Sequence, residues 1–77
     1  MQSEPVITPS AYKHGIVEDD ILHAFRNPLF VHPGAEGFTM IAGPARDASM
    51  LEIGYITSDQ FQALIIHAML ARTKYLR

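Results

Sequence analysis

Four histidines, at positions 14, 23, 32 and 67, are the side chains here best suited to chemistry beyond folding. Histidines can ligate a metal, but no two of these stand at His-x-x-x-His spacing. There is no cysteine, and the neighbouring acids form no ligand pattern. No metal site and no cofactor are therefore expected. His67 is set apart by its surroundings, "IIHAMLARTKYLR", where an apolar run passes into Arg72, Lys74, Tyr75 and Arg77 with no acid after Asp59. Two roles stand open for it: a core histidine with a backbone partner, or an acid/base working near neutral pH. His14, beside Lys13, is expected to end a first helix, where the helix dipole favours a protonated ring. His23 lies among Asp19, Asp20 and Arg26 and reads as solvated, as does His32 before a Pro-Gly loop.

The cations suggest a second kind of chemistry. Arg46 sits in a central turn, and Arg72, Lys74 and Arg77 close the chain with Tyr75 among them. If hairpins bring that turn and the last segment to one sheet edge, the cluster suits a phosphodiester. Guanidinium forks match phosphate oxygens, and a tyrosine ring stacks on a base. Glu52 is a carboxylate without an obvious mate, expected to pair with an arginine rather than to catalyse. No phosphate-binding loop, nucleophile elbow or paired-carboxylate pattern is present.

The elements that must position these groups fit into one domain, residues 1–77, because the chain has only 77 residues. Hydrophobic residues make up 48% and charged residues 18%, a globular composition. Without disulfides, a chain of this size buries only about 60% of its unfolded surface, so its core is marginal. The net charge is −2 but unevenly spread. Glu4, Glu18, Asp19 and Asp20 oppose Lys13 in the first 20 residues, while Arg72, Lys74 and Arg77 are unopposed after residue 60. No apolar run approaches the roughly 18 residues of a membrane helix, and "MQSEPVITP" is unlike a secretory signal. A cytoplasmic protein with no membrane partner is expected.

Residues 1–7 read as a flexible or extended lead-in. "TPSAYKHG" has the marks of a short helix: Thr8 as cap, Pro9 at the first position, Gly15 as a left-handed stop. "VEDDILHAFRNP" is a second helix, with Ile21, Leu22 and Phe25 on one face and three acids in its first turn. Asn27-Pro28 ends it, and Val17 caps it poorly. Thereafter the pattern turns to strands: "LFVH", "FTMIAG", "MLEIGYI" and "FQALIIHAM", separated by "HPGAEG", "GPARDAS" and "TSDQ". Leu51, Ile53 and Tyr55 are expected on one face, Glu52 and Gly54 on the other. In the last strand Phe61, Ala63, Ile65 and His67 are expected to share a face. The expected fold is α+β: two N-terminal helices packed on a small antiparallel sheet of three to four strands, with one sheet face partly open.

Several phrases taken together carry a family likeness. "KHGI-EDDI-HAF-NPL" resembles the N-terminal signature of the BrnT-like toxins. "IAGPARDASMLEIGYI" resembles their central hairpin, and "IIHAMLARTKYL" their closing segment. The likeness spans residues 12 to 76. It departs at Val17, at "HAMLAR" where many members carry Ser-Ala-Arg, and at the missing C-terminal helix. The resemblance implies the RelE/ParE-like fold and a toxin of a bacterial type II toxin-antitoxin system. Its implied partners are a cognate antitoxin, an RNA substrate, and operator DNA only as the toxin-antitoxin complex.

The chemistry expected from that likeness is metal-independent endoribonuclease cleavage by 2′-hydroxyl attack. His67 would serve as acid/base with Arg46 and Arg72 on the phosphate, while Lys74, Tyr75, Lys13 and His14 would bind RNA. Two alternatives stand beside it: a non-catalytic protein-interaction module derived from such a toxin, and a gyrase-directed toxin.

Overall fold

The computed structural model describes residues 4–58 and 61–77. Residues 1–3 of the expected lead-in and 59–60 of the "TSDQ" connection therefore lie outside the described residues, as do the side chains of Ser58 and Phe61. Five strands form one sheet: β1 (Val6–Ile7), β2 (Phe30–Pro33), β3 (Phe38–Pro44), β4 (Met50–Ser58) and β5 (Phe61–Leu70). Their spatial order is β1-β5-β4-β3-β2. The pairs from β2 to β5 are antiparallel, but β1 runs parallel to β5, with Val6 opposite Leu64 and Ile7 opposite Ile65.

This corrects the expected fold on two counts. The sheet is mixed and five-stranded, not an antiparallel sheet of three or four. The added strand is two residues long, too short to show a period, and its partner lies at the far end of the chain. The second correction concerns the helices. Among the described residues there is one α-helix, α1 (Glu18–Arg26), and the expected first helix is a four-residue 3-10 turn, Pro9–Tyr12. Two turns of helix do not stand alone, and here the capping groups are spent elsewhere. The Thr8 hydroxyl donates to the Ile65 carbonyl and the Ser10 hydroxyl to that of Ile66, fastening the turn across β5. Gly15, at φ +80°, then sends the chain towards α1.

The second expected helix is present where its pattern placed it. Glu18, Asp19 and Asp20 occupy its first turn, Val17 gives no side-chain cap, and Asn27 ends it. Ile21 and Ala24 are fully buried against Ile41, Leu51, Ile53, Ile65 and Ala68, with Ala11 of the 3-10 turn closing the layer. Phe25 meets Tyr55 edge to face at 5.1 Å. The helix lies so close to β3 that a Cβ on Gly43 would stand 2.5 Å from the Ala24 carbonyl oxygen and 2.8 Å from that of Asn27. Only glycine admits that approach.

The other face of the sheet has a different cover. After β5 the chain turns back, with the Ala71 amide donating to the Met50 carbonyl, and a 3-10 turn at Thr73–Tyr75 packs over β3 and β2. Met40 and Ala42 are buried beneath this tail. The face expected to be open is thus half closed by the chain's own residues 71–77.

Candidate active site

Glu52 organises the tail-covered face. It stands in the middle of an apolar strand, points away from the helix, and is fully buried. A buried carboxylate must have partners, and four donors meet it. His67 Nε2 donates to Oε2 at 2.8 Å, and Arg72 Nη2 reaches the same oxygen at 2.8 Å. Arg72 Nε and the Arg72 backbone amide reach Oε1 at 3.1 and 2.8 Å. Burial by itself would raise this carboxyl. The hydrogen bonds from the Arg72 side chain and backbone and from His67 outweigh it and bring the group down to about 2. Donating to Glu52 in turn pushes the Arg72 guanidinium up.

His67 reaches Glu52 because β5 contains a bulge. Gly54 is opposite His67 but Tyr55 is opposite Ile65, leaving Ile66 without an opposite residue. Ile65 therefore stays in the helix-side core while His67 turns to the tail side. The expected sharing of a face by Ile65 and His67 is corrected accordingly; simple alternation holds only on either side of the extra residue. The pairing also explains Gly54, where a Cβ would come within 3.2 Å of His67 Cβ and 3.0 Å of the Phe38 ring.

The other expected site residues, Arg46 apart, fall in two groups, one at His67 and one at Tyr75, linked through Glu52 and Arg72. The His14 ring lies 5.8 Å from that of His67, nearly perpendicular at 77°. His14 and neighbouring Lys13 are both exposed. Tyr75 carries the Arg72 guanidinium 5.5 Å and the Lys74 ammonium 5.1 Å from its ring centre. Arg46 does not join them. Its guanidinium turns to α1, where Nε bonds Asp20 Oδ1 at 2.7 Å and Nη1 lies 3.5 Å from Asp19. That bond holds the Asp20 carboxyl below its ordinary range. Arg46 and Arg72 stand at the same end of the sheet but are committed to opposite faces.

Two histidines read as solvated have partners instead. His23 Nδ1 donates to the Pro44 carbonyl at 2.7 Å, fastening α1 to the end of β3. His32 Nε2 donates to the Tyr75 carbonyl at 3.3 Å and its ring meets Tyr75 at 5.5 Å, so it receives the tip of the tail. The signal for His32 was its place two residues after Phe30 on a short strand. For Glu52 it was an acid inside an apolar strand, in a chain with surplus cations downstream.

Chemically, the arrangement offers two imidazoles side by side. One is held by an ionised carboxylate through Nε2–H, and Nδ1 has no protein partner among the described residues. Lys13 precedes His14 in the chain, and Arg72 shares the Glu52 carboxylate with His67. Among the described residues no group of three His, Cys, Asp or Glu side chains is placed to hold a metal, and no helix is long and apolar enough to cross a membrane. Comparison with protein-family models, curated proteins and solved structures returns no match for this chain.

Proposed function

We propose that this chain is an endoribonuclease in which His67 and His14 act as an acid/base pair on a phosphodiester, without need of a metal. One imidazole takes the proton of the ribose 2′-hydroxyl as its oxygen bonds to phosphorus. The bond from phosphorus to the 5′ oxygen breaks, and the second imidazole protonates that leaving oxygen, so a 2′,3′-cyclic phosphate and a free 5′-hydroxyl result. The observation that carries the reading is the His14–His67 ring separation of 5.8 Å, with His67 backed by buried Glu52. Lys13 and the exposed half of Arg72 supply positive charge for the phosphorane, while Lys74 and Tyr75 guide the strand. Arg46 has no part in this step, since Asp19 and Asp20 hold it on the helix side. The BrnT-like resemblance adds the setting to the same proposal: a cytoplasmic bacterial toxin, a cognate antitoxin, and operator DNA bound only by the pair.

The purified chain is expected to cleave RNA in the presence of a chelator, leaving 2′,3′-cyclic ends. His67→Ala and His14→Ala should each lower the rate by about 100-fold or more. The wild-type pH profile should be bell-shaped and lose one limb in each variant. Undiminished cleavage by the double variant would overturn the assignment.

A non-catalytic, protein-binding reading rests on a separate observation. Val17, 53% exposed, and Leu70, 62% exposed, border a cleft floored by Ile16, Ala45 and Leu51. A purified chain that leaves RNA intact but loses a protein partner on Leu70→Glu substitution would favour that reading.

A further inference from the structure

We infer that Phe38 is a stacking platform for one unpaired base, so that the substrate is single-stranded RNA whose base on Phe38 neighbours the phosphodiester at His67. The inference rests on the acid/base reading of His67 given above.

Among the described residues, the tail leaves part of the Glu52 side of the sheet uncovered. Its residues 71–77 lie over β3 and β2 and bury Met40 and Ala42. The next row along the sheet is set by register: Val6 beside Leu64, Leu64 opposite Ile56, Ile56 opposite Phe38. All four are on the Glu52 side of the sheet, by the same alternation that places Gly54 and Met40 there. Val6 is 43% exposed, and Leu64, Ile56 and Phe38 are half-buried. Among the described residues no element packs over this row, which runs alongside the row that contains His67.

Phe38 is the aromatic residue of that row, and two glycines give it room. Its ring lies over Gly54, where a Cβ would come within 3.0 Å of Cζ and 3.2 Å of Cε1. Its opposite edge is bounded by Gly34, where a Cβ would stand 3.2 Å from Cδ2. The same Gly54 Cβ would stand 3.2 Å from His67 Cβ, so the phenyl ring and the imidazole are neighbours across one bare backbone position. A base laid on this ring puts its own ribose and phosphate within a nucleotide's reach of His67.

Charge decides the kind of occupant. The His67 end of this neighbourhood carries His14, Lys13 and Arg72, with Glu52 buried and already saturated with donors, while exposed Glu36 stands two residues before Phe38 at the other end. An anionic ligand with a flat apolar part fits these surroundings. Paired bases present edges and phosphates but no free face, so the ring selects an unpaired nucleotide.

The chain contains no tryptophan, which makes Phe38→Trp a silent background for fluorescence. A 2′-O-methyl oligoribonucleotide, which lacks the nucleophile, should quench that fluorescence, and the same strand in a duplex should quench it far less. Phe38→Leu keeps an apolar side chain without the ring and should raise the KM for cleavage about tenfold with kcat little changed. Quenching without cleavage would leave the base platform standing and remove the acid/base reading. Cleavage without quenching, or an unchanged KM in a Phe38→Leu protein that melts as the parent does, would overturn the platform. So would a dimer that Leu64→Glu dissociates, since the row would then belong to a second copy of this chain.

Discussion

The two faces of the sheet are closed by different physics. On the helix side, α1 seals an apolar layer, and the fit is close enough that Gly43 meets helix backbone directly. On the other side a short tail is held by one carboxylate, and the closure stops halfway along the strands. Apolar burial is non-directional and tolerates repacking. A buried ion pair depends on every donor being present, because a carboxylate left alone in the interior is costly. The side closed by charge is also the one that carries the candidate chemistry. The groups that fasten the tail, Glu52 and Arg72, also hold His67 in place.

Removing Arg72 should break that contrast most severely. Arg72→Ala leaves buried Glu52 with His67 and the backbone amide of residue 72 as its remaining donors, and urea unfolding should show the largest loss of stability among these changes. Arg72→Lys should recover only part of this, because an ammonium cannot reproduce the fork. Acid should act on the same bond. The Glu52 carboxyl lies at about 2, below its ordinary value of 4.5, so its contribution is complete above about pH 4.5 and is lost as pH falls towards 2. Glu52→Gln should flatten that part of the stability profile, leaving the smaller slope due to Asp20 and Asp47, whose carboxyls are also held down. A slope unchanged in Glu52→Gln would mean the tail is held by something else.

On the helix side the test is steric. Gly43→Ala places a methyl against the Ala24 and Asn27 carbonyls and should cost about 2 kcal/mol by lifting α1. Hydrogen exchange should then report opening confined to α1 and β3, while the Glu52 network stays protected. The smallest effect concerns the uncapped start of the helix. Val17→Ser gives α1 an N-cap and should add about 1 kcal/mol without touching the tail side. Equal responses of both faces to these changes would erase the distinction.

How much of this was legible in the chain depends on length and period. α1 was readable because its acids, apolar face and Asn27-Pro28 stop all agree over nine residues. β3, β4 and β5 were readable from composition, and Glu52 from its position as an acid needing an arginine. The 3-10 turn at Pro9–Tyr12 was misread because its cap signals are real but serve β5. β1 was invisible, since two residues show no alternation. The side on which His67 lies turned on one extra residue, Ile66, and nothing in "ALIIHAM" marks a bulge. Arg46 and Arg72 serve opposite faces of the sheet, and spacing along a chain does not say which face a turn residue will serve.

The pairing of Val6 with Leu64 has a consequence for how the molecule assembles. Closing a loop of that span costs entropy before any contact repays it, so β1 is expected to dock late. The helix, the central hairpins and the Glu52 bonds can all form from segments closer together. A chain emerging from a ribosome would hold its first strand in waiting until β5 had followed it out, and the Thr8 and Ser10 hydroxyls would then fasten the seam. The sheet edge is thus completed by a segment synthesised well before its partner strand.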